Sequence, residues 1–201
     1  MQAESPSGQA IFVFQMTSSV LTQPGQRPRK AQAELNLQAV FSDRGLRQLS
    51  LWRGKFLAPL SHVHGALRSP ARAAVGFELL KQRLFARLNG EPADMPWDEF
   101  DLRGQPDFHV RVWKALHAIP FGQTAGYAEL AKAAGSPRAA RACGQACGAN
   151  PILLFIPCHR AVGASGLGGF SAGLEWKKRF LALEGVDWRK PRASARVLAL
   201  S

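Results

Sequence analysis

Cys158 and His159 stand side by side in "PCHR", between Pro157 and Arg160. A thiolate is a strong nucleophile, and an imidazole takes protons near neutral pH. Adjacent residues of an extended chain point to opposite sides, so adjacency alone does not let His159 take the proton of Cys158. The pair needs an imposed geometry and a carboxylate to orient the imidazole, as in the triads of hydrolases. Taken alone, such a pair is as often a buried thiol as a nucleophile. The other two cysteines, Cys143 and Cys147, lie four apart in an expected helix and share one of its faces. Structural zinc sites take close cysteine pairs from turns, so these two read as small packing residues. His62 and His64 fall in an expected loop without acidic or thiol company. No metal site is expected.

The elements that must position the pair are legible in outline. "QAIFVFQMTSSV" (9–20) reads as a strand, and residues 31–41 alternate, with Ala31, Ala33, Leu35 and Leu37 on one side. Residues 46–52 alternate again after "SDRG", so an antiparallel sheet is expected. A helix follows from a Ser69 cap and Pro70, with Val75, Leu79, Leu80, Leu84 and Leu88 at helical spacing and Gly90 as its stop. Residues 91–107 hold five acids before Arg103 and three prolines in all, and read as the connection between domains. In the second half a helix is expected from a capping Asp107, with Val110, Trp113, Ala115, Leu116 and Ile119 as its apolar stripe. A short helix ends at Gly135, and another begins at a Ser136 cap with Pro137. That pair reads as a helix-turn-helix. The second of the two is largely Ala, Gly and Cys, including Ala139, Ala140 and Gly144, with Arg138 and Arg141 near its start. Such a face fits close helix packing or entry into a DNA groove. "ILLFI" (152–156) reads as a buried strand delivering "PCHR". A glycine-rich stretch (161–173) reads as a pocket wall, because it lacks the phosphate-loop pattern. A last helix is expected from a Ser171 cap, with Leu174, Trp176, Phe180, Leu181 and Leu183 facing the core, to Glu184 and Gly185.

The bulk numbers bound the reading. The chain has 201 residues, 46% of them hydrophobic, enough for a folded core in one or two small domains. The N-terminal residues lack the basic start and apolar block of a secretion signal, and no apolar run suits a membrane span. Three clustered cysteines fit a reducing, intracellular setting better than a disulfide framework. The net charge is +12. Residues 1–103 carry 13 Lys and Arg against 9 Asp and Glu, and residues 104–201 carry 13 against 5. The basic excess is thus concentrated beside the motif, and nucleic acid is the expected partner.

From about Phe108 to Gly185 the sequence resembles the O6-alkylguanine-DNA alkyltransferases, the methylated-DNA–protein-cysteine methyltransferases. The resemblance rests on the Tyr of "GYAELA", the Arg of "AAR", the Asn of "ANP", the "PCHR" core and the late "EG", in order and at family-like spacing. It implies a small N-terminal antiparallel sheet with a helix (1–103), of variable sequence in the family. It implies next a mainly helical, winged-helix-like domain carrying the helix-turn-helix (104–190), within an α/β (α+β) fold; residues 191–201 are a basic tail. Cys158 would be the alkyl acceptor, His159 would act through a bound water, and Glu184 would orient His159. Asn150 would brace the turn between recognition helix and active site, and Lys177 would stabilise charge on the guanine oxygen. Tyr127 would contact the displaced base or its phosphate, and Arg141 would fill the gap left in the duplex. Ala161, Phe170, Ser171 and Ala172 would line the guanine pocket. Ala161, Phe170 and Ala172 stand where relatives often carry Val, Tyr and Gly, which bears on substrate range.

The implied activity is irreversible, single-turnover transfer of a methyl or other alkyl group from O6 of guanine, with O4-alkylthymine as a second substrate. Duplex DNA is the partner, no cofactor is required, and a monomer in the cytoplasm, or in the nucleus of a eukaryote, is expected. A DNA-binding or damage-sensing helix-turn-helix protein without transfer is the rival, and a cysteine hydrolase using His159 and Glu184 is a third.

Overall fold

Alternating apolar residues in β2 (Ala33–Phe41) put Leu35, Leu37, Ala39 and Phe41 on one buried face. β2 pairs antiparallel with β1 (Gln9–Ser18) on one side and with β3 (Leu46–Leu51) on the other, and β4 (Leu60–His64) completes the order β3-β2-β1-β4. This computed structural model describes residues 8–18, 33–51, 60–64, 69–164, 166–189 and Ala195. His62 and His64, expected in a loop, lie in β4, which pairs with β1. Ala31 and Trp52, expected at strand ends, fall outside the described residues, as do residues 191–194 and 196–201 of the basic tail.

Helix α1 (Pro70–Leu88) starts at Ser69, whose hydroxyl accepts from the Arg72 amide. It lies on the sheet through Ala73, Leu80, Leu84 and Leu88, and the Phe12 and Phe77 rings stack at 4.1 Å. Val75 and Leu79, expected to face the core, are 61% and 43% exposed. At 100° per residue they lie on a different side of the helix from the buried Ala73, Leu80, Leu84 and Leu88. The chain then returns across β3: Asp101 N–H donates to Leu46 O at 2.9 Å. The connection is thereby annealed to the sheet edge, with Met95, Phe100 and Asp101 buried.

Helices α2 (Asp107–His117), α3 (Tyr127–Ala133) and α4 (Ala140–Gly148) form the second half, with the turn of the helix-turn-helix between α3 and α4. Trp113 is fully buried, and its indole N–H donates to Ala146 O at 2.8 Å, locking α2 to α4. Short parallel strands β5 (Ala125–Gly126) and β6 (Ala161–Val162) pair beside them, and α5 (Leu174–Leu183) closes the unit.

Three expected caps do not form. Pro106 takes the boundary position of α2, so Asp107 lies inside the first turn, where its charge still favours the helix dipole. Ser136 O accepts from Ala139 N in a tight turn, which delays α4 to Ala140. Gly173, at φ +99°, bounds α5 in place of Ser171, and Leu174 is exposed. The largest departure is residues 152–156, expected as a strand. They are buried but turn back on themselves, with Leu154 at φ +69° and Ile156 N bonded to Ile152 O. A short apolar run does not distinguish a buried strand from a buried turn.

Candidate active site

The turn that carries Cys158 is held from two directions. Leu49 of β3 brackets it, donating to Pro151 O at 2.9 Å and accepting from Leu153 N at 2.8 Å. The Asn150 side chain folds over it: Oδ1 accepts from Ile152 N, while Nδ2 is 2.7 Å from Ile156 O and 3.0 Å from Cys158 Sγ. A non-glycine residue in left-handed backbone costs about 1–2 kcal/mol, and the Asn150 contacts hold Leu154 there. Cys158 then opens a 3-10 turn, Cys158–Arg160, that feeds β6. A helical turn of this kind re-aims the His159 ring away from the opposed directions of an extended chain.

His159 is fully buried, and its Nε2 lies 2.9 Å from Glu184 Oε1. An ionised carboxylate only accepts, so Nε2 carries the proton and Nδ1 keeps a lone pair. Nδ1 is buried and has no hydrogen-bond partner among the described residues. Burial opposes ionisation of Glu184, but His159 and Arg160 outweigh it and hold the carboxyl well below its usual range. Burial pushes the His159 pKa down, Glu184 works against that, and Arg160 and Arg87 add to it. Burial pushes the Cys158 thiol up, against the Asn150 hydrogen bond and the Lys177 charge. The site thus pairs a protonated thiol with a neutral imidazole that has an acceptor nitrogen to spare.

Cys158 lies at one wall of a cleft of about 350 Å³. Helix α4 supplies Ala140, Arg141, Gly144, Cys147 and Gly148, and the glycine-rich loop supplies Gly169, Phe170 and Ser171. Tyr127, at the start of α3, faces both. Burial raises its pKa to about 12, so it remains a hydrogen-bond donor rather than a phenolate. Gly168 (φ +69°) passes so close to this ring that a Cβ there would lie 2.8 Å from the Tyr127 hydroxyl. Arg141 is exposed at the rim.

Several expected residues fall elsewhere. Ala161 and Ala172 do not line the cleft; Ala161 is fully buried. Arg138 is exposed in the turn before α4, and Ala139 is the boundary residue of that helix. Lys177 is buried, with Nζ bonded to the carbonyls of Ala161 (2.6 Å), Leu167 (2.5 Å) and Gly169 (3.1 Å). An ammonium has three donors, so none is left for a guanine oxygen. Lys177 instead pins the loop wall, and its positive charge favours the Cys158 thiolate.

Sequence reasoning missed three contributors. Arg160 is buried and grips both oxygens of Glu184 at 2.8 Å, with a further bond to Ile119 O. Arg87 reaches Glu184 Oε1 from α1 at 3.4 Å. Cys147 edges the cleft beside Cys158. The signal for Arg160 was its place in "PCHR", next to two residues already singled out.

Residues 107–186 match the family model described as 6-O-methylguanine DNA methyltransferase, DNA binding domain. A methylated-DNA–protein-cysteine methyltransferase of Mycolicibacterium paratuberculosis is 54% identical over 87 residues, 43% of this chain and 52% of that protein. The matched stretch spans about half the length of that relative. The crystal structure of Mycobacterium tuberculosis O6-methylguanine methyltransferase is similar over 87% of this chain and 92% of its own, with 32% identity and a TM-score of 0.61. A structure of the M. tuberculosis protein in complex with DNA matches over 78% of this chain and 89% of its own, with 36% identity and a TM-score of 0.59. The likeness to that solved enzyme runs through the N-terminal sheet as well as the thiol-bearing half, and on it the chain belongs to the O6-methylguanine methyltransferase family.

Proposed function

We propose that the protein repairs alkylated DNA by moving the alkyl group of an O6-alkylguanine, chiefly methyl, onto Cys158 in a single irreversible turnover. The observation that carries this reading is the convergence of Cys158, His159 and Glu184 behind a cleft whose far wall is the second helix of a helix-turn-helix. A duplex carries the O6 alkyl group inside its base stack, so the base must leave the stack to meet a sulfur. The outer face of α4, with Gly144, Gly148 and the exposed Arg141, allows close approach of a groove while an arginine enters the stack. Tyr127 contacts the displaced nucleotide, and Phe170 and Ser171 line its pocket.

In the proposed step the Cys158 proton passes through a water to His159 Nδ1, and Glu184 balances the imidazolium. The thiolate attacks the alkyl carbon in line. The carbon–sulfur bond forms as the carbon–oxygen bond breaks, and the electron pair stays on the guanine. The proton released by Cys158 ends on the guanine ring, which is thereby restored. The thioether is stable, so each chain reacts once. We read residues 1–103 as a supporting domain and 104–190 as the DNA-binding and transfer domain, acting as a single chain where DNA is kept.

Incubation with a duplex carrying O6-methylguanine, followed by peptide mass measurement, tests the reading. One methyl increment on the Cys158 peptide, absent in Cys158→Ala, is the expected result. Retained DNA binding with unchanged mass would select a binding or sensing protein instead, and repeated turnover would select a hydrolase.

A further inference from the structure

Glu184 receives a second guanidinium from α1, 97 residues earlier in the chain. Arg87 sits in the last turn of α1, outside residues 107–186, and is 4% exposed. Its Nη1 lies 3.4 Å from Glu184 Oε1, its Nη2 lies 3.3 Å from Asp94 Oδ1, and its guanidinium is 5.2 Å from the centre of the Phe121 ring. Arg160 approaches the same ring at 5.7 Å. The other inward positions of α1 are Ala or Leu. A buried arginine there is expensive to desolvate and packs no better than a leucine. Its place is explained by what it touches.

Oε1 of Glu184 is shared by His159 Nε2, Arg160 Nη2 and Arg87 Nη1. If His159 takes up a proton, three cations then face one carboxylate, and among the described residues Asp94, whose side chain is 72% exposed, is the acid that helps from behind Arg87. We propose that Arg87 is a positioning residue for alkyl transfer: it holds Glu184 from α1 and so restrains how readily His159 accepts the proton of Cys158. The contribution of the N-terminal domain is thereby electrostatic as well as mechanical. The groups that face His159 are Glu184 at the end of α5, Arg160 and Cys158 in its own turn, and Arg87 from α1, with Phe180 against its ring. The charge of Arg87 acts on His159 and is not among the influences on Cys158.

This inference rests on the proposed role of Cys158, and its test does not need the DNA substrate. The readout is the rate at which iodoacetamide alkylates Cys158 across about pH 5 to 9, followed by mass on the full chain. In Arg87→Met the acid limb of the profile, where His159 becomes protonated and can no longer take the Cys158 proton, should move up by about one pH unit, the size of a neighbouring-charge effect. Arg87→Lys should keep the limb near its original place. If Arg87→Met does not fold, Asp94→Asn decides. It changes an exposed group and leaves the Arg87 charge less compensated, moving the limb down by a few tenths of a unit, about what a solvent-screened charge gives. An unmoved limb in a folded Arg87→Met, or in Asp94→Asn where that variant decides, overturns the proposal. A Cys158 that reacts with iodoacetamide but never with O6-methylguanine DNA counts against the proposed function and leaves the Arg87 question intact.

Discussion

The molecule has two interiors built on different principles. Between the sheet and α1, Leu35, Leu37, Leu80 and Leu84 are fully buried and belong to one continuous apolar cluster. Around Glu184, four buried charged or polar side chains (Arg87, His159, Arg160 and Glu184 itself) bond to one another across three segments of chain. An apolar interior is non-directional and tolerates swaps of equal volume. A charged interior depends on each partner, because a lone charge left behind is costly. The difference teaches where this fold is replaceable and where it is not.

The contrast is broken or upheld by matched, nearly isosteric substitutions. Glu184→Gln leaves the buried Arg160 guanidinium without an anion, and Arg87 with the exposed Asp94 alone, and should cost about 3–5 kcal/mol in chemical denaturation, with Cys158 reactivity lost as well. The same carboxylate sets acid sensitivity. Its folded pKa is depressed, so its stabilisation is present in full above the ordinary value of 4.5 and is lost as pH falls from there through the folded value. Acid titration of wild type should show that decline, and Glu184→Gln should flatten it. Asn150→Ala removes the brace on the Cys158 turn and leaves the buried Ile152 N–H unpaired, for about 1–3 kcal/mol, with slower thiol alkylation at equal foldedness. Leu84→Met, the equivalent swap in the apolar interior, should cost less than about 1.5 kcal/mol. Val75→Ser, on the uncovered part of α1, should stay within about 0.5 kcal/mol. If Leu84→Met cost as much as Glu184→Gln, the distinction between the two interiors would fail.

The sequence made the apolar interior readable through period alone. Leu35 and Leu37 follow the two-residue repeat of β2, and Leu80, Leu84 and Leu88 follow the helical repeat of α1. It misled at Val75 and Leu79 because helical spacing alone does not say which of two apolar stripes, Val75 and Leu79 or Leu80, Leu84 and Leu88, faces the sheet. Residues 152–156 misled for a related reason: their apolar content fixes burial, while the reversal depends on Leu154 backbone geometry and on the Asn150 side chain. In the charged interior, Cys158 and His159 stood out as an adjacent pair, and Asn150 and Glu184 through the resemblance to the alkyltransferases. Arg87 did not, since its helical position looks like any solvated charge and its partner lies 97 residues away. Lys177 was legible as a nearby cation, but nothing in its neighbours announced that three loop carbonyls would occupy its donors.

The central claim is that Cys158, set behind the α4 cleft by this charged interior, is the terminal acceptor of an alkyl group from DNA. The most direct measurement is the mass of the intact chain and of its Cys158 peptide after exposure to a stoichiometric duplex containing O6-methylguanine. The account predicts one methyl group per chain, located on Cys158, with unmodified guanine recovered in the DNA and no second round of reaction. A methyl group found on Cys147 or Cys143 instead, or a repaired duplex with no methyl on the protein, would contradict it.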